Sequence, residues 1–196
     1  MGAPREGLTI RIERLEEYGR FVGIAGFREA QVTDVPAFIE AVREKIGEYI
    51  FQLLNADHVG CWEHLYFATL NALKAFQDER NLAGRLDVEM LLYASGQDQI
   101  SKAFTLLGLT PQASRIALVT LTESEGEAVA AIKRATPLLG VPDDDVLEVN
   151  GQKFKRLREV FSISDEELEA VAEPGGERSA LKSLLIERCA LLAIHR

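Results

Sequence analysis

The sequence predicts an α+β fold in which a small antiparallel sheet packs against several helices. Three observations carry this. Apolar and charged residues alternate over 8–12 and are followed by an apolar return over 21–25, and a β-branched and leucine-rich run fills 116–121. Elsewhere apolar residues recur every three or four positions, the helical period. At 196 residues, 47% hydrophobic and 27% charged, the chain can bury roughly 70% of its unfolded surface without metal or disulfide staples. One compact domain over 1–196 is expected, its C-terminal helix packed on or near a long central helix.

The first strand places Leu8, Ile10 and Ile12 on one face and Thr9, Arg11 and Glu13 on the other, as a half-buried strand does. A turn over 16–19 lets Phe21, Val22, Gly23, Ile24 and Ala25 return antiparallel to it. Gly19, Gly23 and Gly26 are spaced for turns, a bulge or close backbone approach, not for a phosphate-binding loop. Thr33 or Asp34 caps the first helix, Pro36 stands in its first turn, and Phe38, Ile39, Val42, Ile46 and Tyr49 form its apolar face. After Asn55 and Asp57 a helix of roughly 20 residues and ~30 Å is expected, built on Val59, Trp62, Leu65, Tyr66, Leu70, Leu73 and Phe76. So wide an apolar girth makes it central, with Ala68, Ala72 and Ala75 admitting close neighbours and Asn71 and Lys74 sharing a surface.

Beyond a turn at 81–84, residues 86–94 are apolar almost all round and read as a short buried helix, with a strand as the competing reading. Ser95 and Gly96 end that run, and Ile100, Ala103, Phe104 and Leu107 give another amphipathic helix closed by Gly108. The 116–121 strand joins the N-terminal pair, a helix over 125–139 stops around Pro137 and Gly140, and Pro142 with Asp143, Asp144 and Asp145 makes an exposed turn. Ser164 and Glu167 form a capping-box pattern before a helix through 168–171. Pro174, Gly175 and Gly176 interrupt the chain. The last helix carries Leu181, Leu184, Leu185, Ile186, Cys189, Leu192 and Ile194, an apolar face too wide to stay solvated.

With 22 lysines and arginines against 31 aspartates and glutamates, the formal charge is −9. A broad nucleic-acid surface is excluded as a default, because it would need net positive charge to displace counterions from phosphates; a short, local contact is not. Cys61 and Cys189 sit in apolar helical patterns as small buried thiols, which fits a reducing compartment. No leader-like run or long apolar span is present, so a cytoplasmic location is expected.

Catalytic and metal signatures are missing. His58 and His64 stand six apart and do not share a helix face, and no Walker, kinase or nucleophile-elbow motif occurs. Asp143 to Asp145 read as a solvated turn before a magnesium site. No metal and no cofactor are expected. His64 reads first as a structural histidine and second as a groove residue. Tyr93, Ser95, Gln97 and Gln99 offer stacking or hydrogen bonds to exposed bases, or equally cap helices. Lys153, Lys155, Arg156 and Arg158 read first as a solvated helical face and second as phosphate contacts; Lys74, on the central helix near Asn71, is the better-placed single cation.

The residues in order resemble the Cgi121 family, a subunit of the archaeal and eukaryotic KEOPS complex. The resemblance rests on Asn55-Ala56-Asp57-His58, Glu63-His64-Leu65, Asn71-Ala72 with Lys74-Ala75-Phe76, Glu89-Met90-Leu91-Leu92-Tyr93-Ala94-Ser95-Gly96, Gln99-Ile100 and the terminal Leu185-Ile186-Glu187-Arg188. It spans almost the whole chain and looks like the compact archaeal form. The resemblance implies a noncatalytic subunit that binds the kinase/ATPase Bud32, reaches the rest of KEOPS through it, and supports N6-threonylcarbamoyladenosine (t6A) modification by holding the single-stranded 3′ CCA end of tRNA. On that basis His64, Asn71, Lys74 and Gln99 are the RNA-side residues, and Leu184, Glu187, Arg188 and Leu191 the kinase side. Asp98 departs from the Gly-x-Arg-Gln-Ile stretch of relatives; an acid facing RNA is unfavourable, so it points away or weakens tRNA binding. The alternative function is a protein-only adaptor that stabilises or stimulates the kinase without touching RNA.

Overall fold

The computed structural model describes residues 8–173 and 176–194. Pro174, Gly175 and His195 therefore lie outside the described residues. In chain order the elements are β1 (Arg11–Leu15), β2 (Arg20–Arg28), α1 (Val35–Ile46), β3 (Ile50–Asn55), α2 (Trp62–Gln77), α3 (Leu86–Ser95), α4 (Ile100–Leu107), β4 (Arg115–Thr122), α5 (Glu125–Leu139), β5 (Val141–Pro142), α6 (Gly151–Val160), α7 (Asp165–Val171) and α8 (Glu177–Ile194). The architecture is α+β, with a small antiparallel sheet packed against helices. Its contacts divide into two compact units, Met1–Ala56 with Gly108–Val146 and Asp57–Leu107 with Leu147–Arg196.

The first unit holds the sheet, in the order β1-β2-β4-β3, with β5 pairing with β2. All pairings are antiparallel; Ile12 faces Gly23, Ile24 faces Val119, and Leu53 faces Leu118. α5 packs on β2 and β4 and α1 packs on α5, enclosing Phe27, Val42, Ile46, Ile116, Leu118, Ile132 and Leu139, all 0% exposed. Each such side chain contributes roughly 1.5–3 kcal/mol through burial. β3 is an addition to the sequence reading, which carried the apolar face of α1 on to Tyr49. The helix ends at Ile46 because Gly47 turns the backbone to φ 84°, and the chain leaves as a strand. Asp34, not Thr33, is the α1 cap, accepting from the Ala37 N–H at 3.0 Å. Ser124 and Glu127 form a capping box at the start of α5, and Pro137 sits inside its last turn.

The second unit is helical. α2 packs on α3 and α8, and α8 also touches α3, α6 and α7. α2 begins at Trp62, later than the periodicity suggested, because Ala56–His58 form a 3-10 turn first. Of the two readings for 86–94, helix is the one found: Met90 to Ala94 are all buried in α3. Gly60 lets α8 come close, since a Cβ there would stand 2.4 Å from Leu185 Cδ1. α2 closes with a Schellman turn: the Arg80 N–H donates to Ala75 O at 2.8 Å and the Glu79 N–H to Phe76 O at 3.3 Å. Glu79 occupies the left-handed position, φ 54°, which suits glycine. Glu79→Gly is expected to raise unfolding stability by about 0.5–1 kcal/mol, read as a higher urea midpoint at unchanged slope.

Candidate functional site

The Schellman turn has a consequence for charge. It reverses the chain just after α2, so that Arg80 joins Asn71 and Lys74 along one surface cleft of about 330 Å³, lined also by Ala75, Tyr93, Ala193 and Ile194. Lys74 is exposed, and no described ion pair engages it. Arg80 holds Asp78 at 2.7 Å with both side chains solvated, a pairing worth less than about 1 kcal/mol and readily exchanged for a phosphate. Asn71 donates its side-chain amide to Phe67 O at 2.9 Å, one turn back along α2. That bond fixes the side chain against the helix and leaves its carbonyl as an acceptor. Tyr93 is 2% exposed, so it shapes the cleft floor and is not a free stacking plate. Ile194, at the end of α8 and 73% exposed, provides an apolar wall.

Two of the four residues assigned to RNA, Asn71 and Lys74, are thus brought together, and two are not. His64 is 0% exposed. Its Nε2–H donates to Ala94 O at 2.8 Å, its Nδ1 accepts from the Gly60 N–H at 3.3 Å, and Phe161 meets the ring edge-on at 5.9 Å. The first reading of His64, as a structural histidine, is the one the structure matches: the ring joins α2, α3 and the Gly60 loop and does not line the cleft. Burial, and secondarily the nearby Lys153 charge, hold its pKa down to about 4, so it is neutral near pH 7. Gln99 is exposed just before α4, where its carbonyl accepts from the Ala103 N–H at 3.0 Å, and it does not line the cleft. Asp98 is exposed beside it, also outside the lining.

The residues assigned to the kinase are divided along α8. Leu184 is 7% exposed and packs in the core, whereas Leu191 is 39% exposed. Glu187 is exposed, and Arg188 is half-buried and donates to Glu167 at 3.0 Å. The outward apolar residues at this end of α8 are Leu191 and Ile194.

The basic run of α6 is less available than a solvated face. Lys153 is 3% exposed, Arg156 holds Asp57 at 2.8 Å, and Arg158 holds Asp165 at 2.6 Å. Asp143 pairs with Arg28 at 3.4 Å and accepts from the Asp145 N–H, as a structured turn does. Glu89 is buried and fastens the 81–84 loop, its Oε2 accepting from the Leu82 and Ala83 N–H groups at 3.1 and 2.7 Å. Cys61 and Cys189 are free and buried, and burial pushes the Cys61 thiol up to about 12 and raises that of Cys189 as well, which makes both poor nucleophiles. Among the described residues no group of three or more His, Cys, Asp or Glu could hold a metal ion, and no helix is long and apolar enough to cross a membrane.

Arg80 and Ala193 are the cleft residues the sequence reading did not name, and Ile194 it placed only on the apolar face of the last helix. Arg80 lies past the end of helical periodicity, where spacing assigns no face, and only the left-handed Glu79 returns it to Lys74.

Comparison with known proteins adds two findings. The family model described as kinase binding protein CGI-121 matches residues 30–193. The chain is also similar to the regulatory protein Cgi121 of Methanocaldococcus jannaschii, 31% identical over 113 residues that cover 58% of this chain and 70% of that relative.

Proposed function

The chain belongs to the kinase-binding CGI-121 family, and from that premise we propose that it is a cytoplasmic, noncatalytic regulatory subunit of a KEOPS-type complex, binding a Bud32-like kinase and the 3′ CCA end of tRNA in support of t6A modification. The single observation that supports the RNA half is the cleft in which Lys74, Arg80 and Asn71 converge beside Ile194. Single-stranded RNA is recognised by phosphate contacts, base-edge hydrogen bonds and apolar or aromatic faces against bases. The cleft has all three kinds: two cations for phosphate, the Asn71 carbonyl for an exocyclic amine of cytosine or adenine, and the Ile194 side chain for a base face. A local contact of this kind suits an acidic protein, whose net charge of −9 would repel a longer RNA track. Holding the tail raises its effective concentration near the modifying subunits, and kinase binding sets the geometry. No bond is broken by this chain in that division of labour.

For the kinase side, Glu187 and Leu191 are the exposed ones among the α8 residues assigned to it, with Arg188 half-buried beside them. A hydrophobic anchor rimmed by charge is a common form of partner contact. Leu191 is also what a protein-only adaptor would use, which keeps that reading as the alternative.

The two readings part on one comparison. Full-length tRNA should bind the chain at least ten-fold more tightly than the same tRNA lacking its terminal CCA, measured by fluorescence anisotropy at fixed salt. Equal affinity for both RNAs, with kinase binding intact, would leave the adaptor reading.

A further inference from the structure

A second cleft lies on the helical unit away from the residues of the first. It has a volume of about 350 Å³, with Phe154 and Arg158 of α6 on one side and Asp165, Leu168, Glu169 and Ala172 from α7 and its end on the other; Glu173 and Glu177 stand at its rim. We propose that this cleft docks a basic amphipathic helical segment of a protein partner, apolar side chains seated on Phe154, Leu168 and Ala172 and lysines or arginines paired with the carboxylates.

The charge pattern selects the occupant. Against the four carboxylates Asp165, Glu169, Glu173 and Glu177 the cleft has one cation, Arg158, and that guanidinium is already spent on Asp165 at 2.6 Å and lies 6.0 Å from the Phe154 ring centroid. Glu169, Glu173 and Glu177 have no ion-pair partner among the described residues, and Glu169 and Glu173 are exposed. RNA and anionic membranes are repelled by such a rim. The spacing selects the shape. With Asp165 held by Arg158, the carboxylates left for incoming cations are Glu169, Glu173 and Glu177, four apart in sequence, the interval at which a facing helix presents cations at i and i+4. Phe154 and Ala172, both half-buried, give the cleft its accessible apolar surface over Leu168, which is 5% exposed, and an apolar residue at i+3 or i+7 of the incoming helix would meet them. A cleft at the low end of the usual pocket range, roughly 300–1,000 Å³, suits a few anchoring side chains better than a small molecule buried on all sides.

The test uses the full chain and two fluorescein-labelled amphipathic peptides of one helical design, one with lysines and one with glutamates on the polar face. Two charge-matched variants are compared, Glu169→Lys with Glu173→Lys at the cleft and Glu44→Lys with Glu48→Lys elsewhere, all four side chains being exposed. Circular dichroism checks that both variants fold. The lysine peptide should bind the parent chain, weaken on adding salt, and lose at least ten-fold in affinity for the cleft variant while retaining its affinity for the control; the glutamate peptide should not bind. Failure of the lysine peptide to bind, equal losses in both variants, or equal binding of both peptides would each overturn the proposal. It stands apart from the RNA reading, which none of these outcomes touches.

Discussion

Lowering the pH from about 7 to about 5 should cost the fold about 2 kcal/mol through His64 alone. The ring is uncharged in the folded chain because burial holds its pKa to about 4, against an ordinary 6.5. The unfolded chain therefore binds more protons between those two values, and stability is complete above the upper one and lost as pH falls towards the lower. Geometry gives the same sign. Nδ1 accepts from the Gly60 N–H while Nε2–H donates to Ala94 O, so a proton added at Nδ1 would face a donor, in a fully buried site near Lys153. Ordinary carboxylates add little over this interval, since they titrate chiefly below about pH 5. In His64→Gln the slope should flatten by that amount, with stability near pH 7 about 1–3 kcal/mol lower because the two hydrogen bonds are remade imperfectly. Urea unfolding at both pH values reads this. Parallel losses in parent and variant would show that the buried imidazole is not the group responsible.

Gly140→Ala should destabilise the sheet unit by about 3 kcal/mol or more. Gly140 ends α5 at φ 105° and ψ −149°, a region closed to side-chain-bearing residues. The added Cβ would also stand 2.4 Å from Arg28 O and 3.0 Å from the Ala30 nitrogen. Both are backbone atoms, and Arg28 is held in the sheet by Arg115 and Val141, so neither can move without breaking strand pairing. A fall of roughly 6–12 °C in thermal midpoint is expected. Gly84→Ala serves as the control: a Cβ added there would meet nothing within 4 Å, and its φ lies outside the left-handed region, so a change within about 0.5 kcal/mol is expected. Comparable losses at the two glycines would contradict the steric account.

How far the sequence could be read depended on whether the deciding contacts were local. Asn71 and Lys74 were found because three positions along a helix define a shared face whatever packs against it, and both line one cleft. The β4 run and the capping box at Ser164 were legible for the same reason; the second is seen with the Glu167 N–H donating to Ser164 Oγ at 3.2 Å. His64 was legible as a structural histidine, but what buries it was not: Ala94, thirty residues on, and Phe161 of a later segment. Lys153 was misread as solvated although it is 3% exposed, because a lysine in a basic run gives no sign of which of its neighbours faces the core. On α8 the spacing of Leu184 and Leu191 puts them on one stripe, but only packing tells that the first is covered and the second is not. β3 was hidden by a helical period that continued to Tyr49 beyond the backbone turn at Gly47. Arg80 was missed because a left-handed residue, not a side-chain pattern, carries it to the cleft.

We propose that the α2–α8 cleft grips an RNA tail through its cations, Lys74 and Arg80. The most direct measurement is the affinity of Lys74→Glu, and separately of Arg80→Glu, for a fluorescein-labelled RNA ending in CCA, with kinase binding followed in parallel. Both side chains are exposed, so folding should be unaffected. Each reversal is expected to weaken RNA binding at least ten-fold, about 1.4 kcal/mol, while kinase binding stays as in the parent chain. RNA affinity unchanged in both variants would contradict the account.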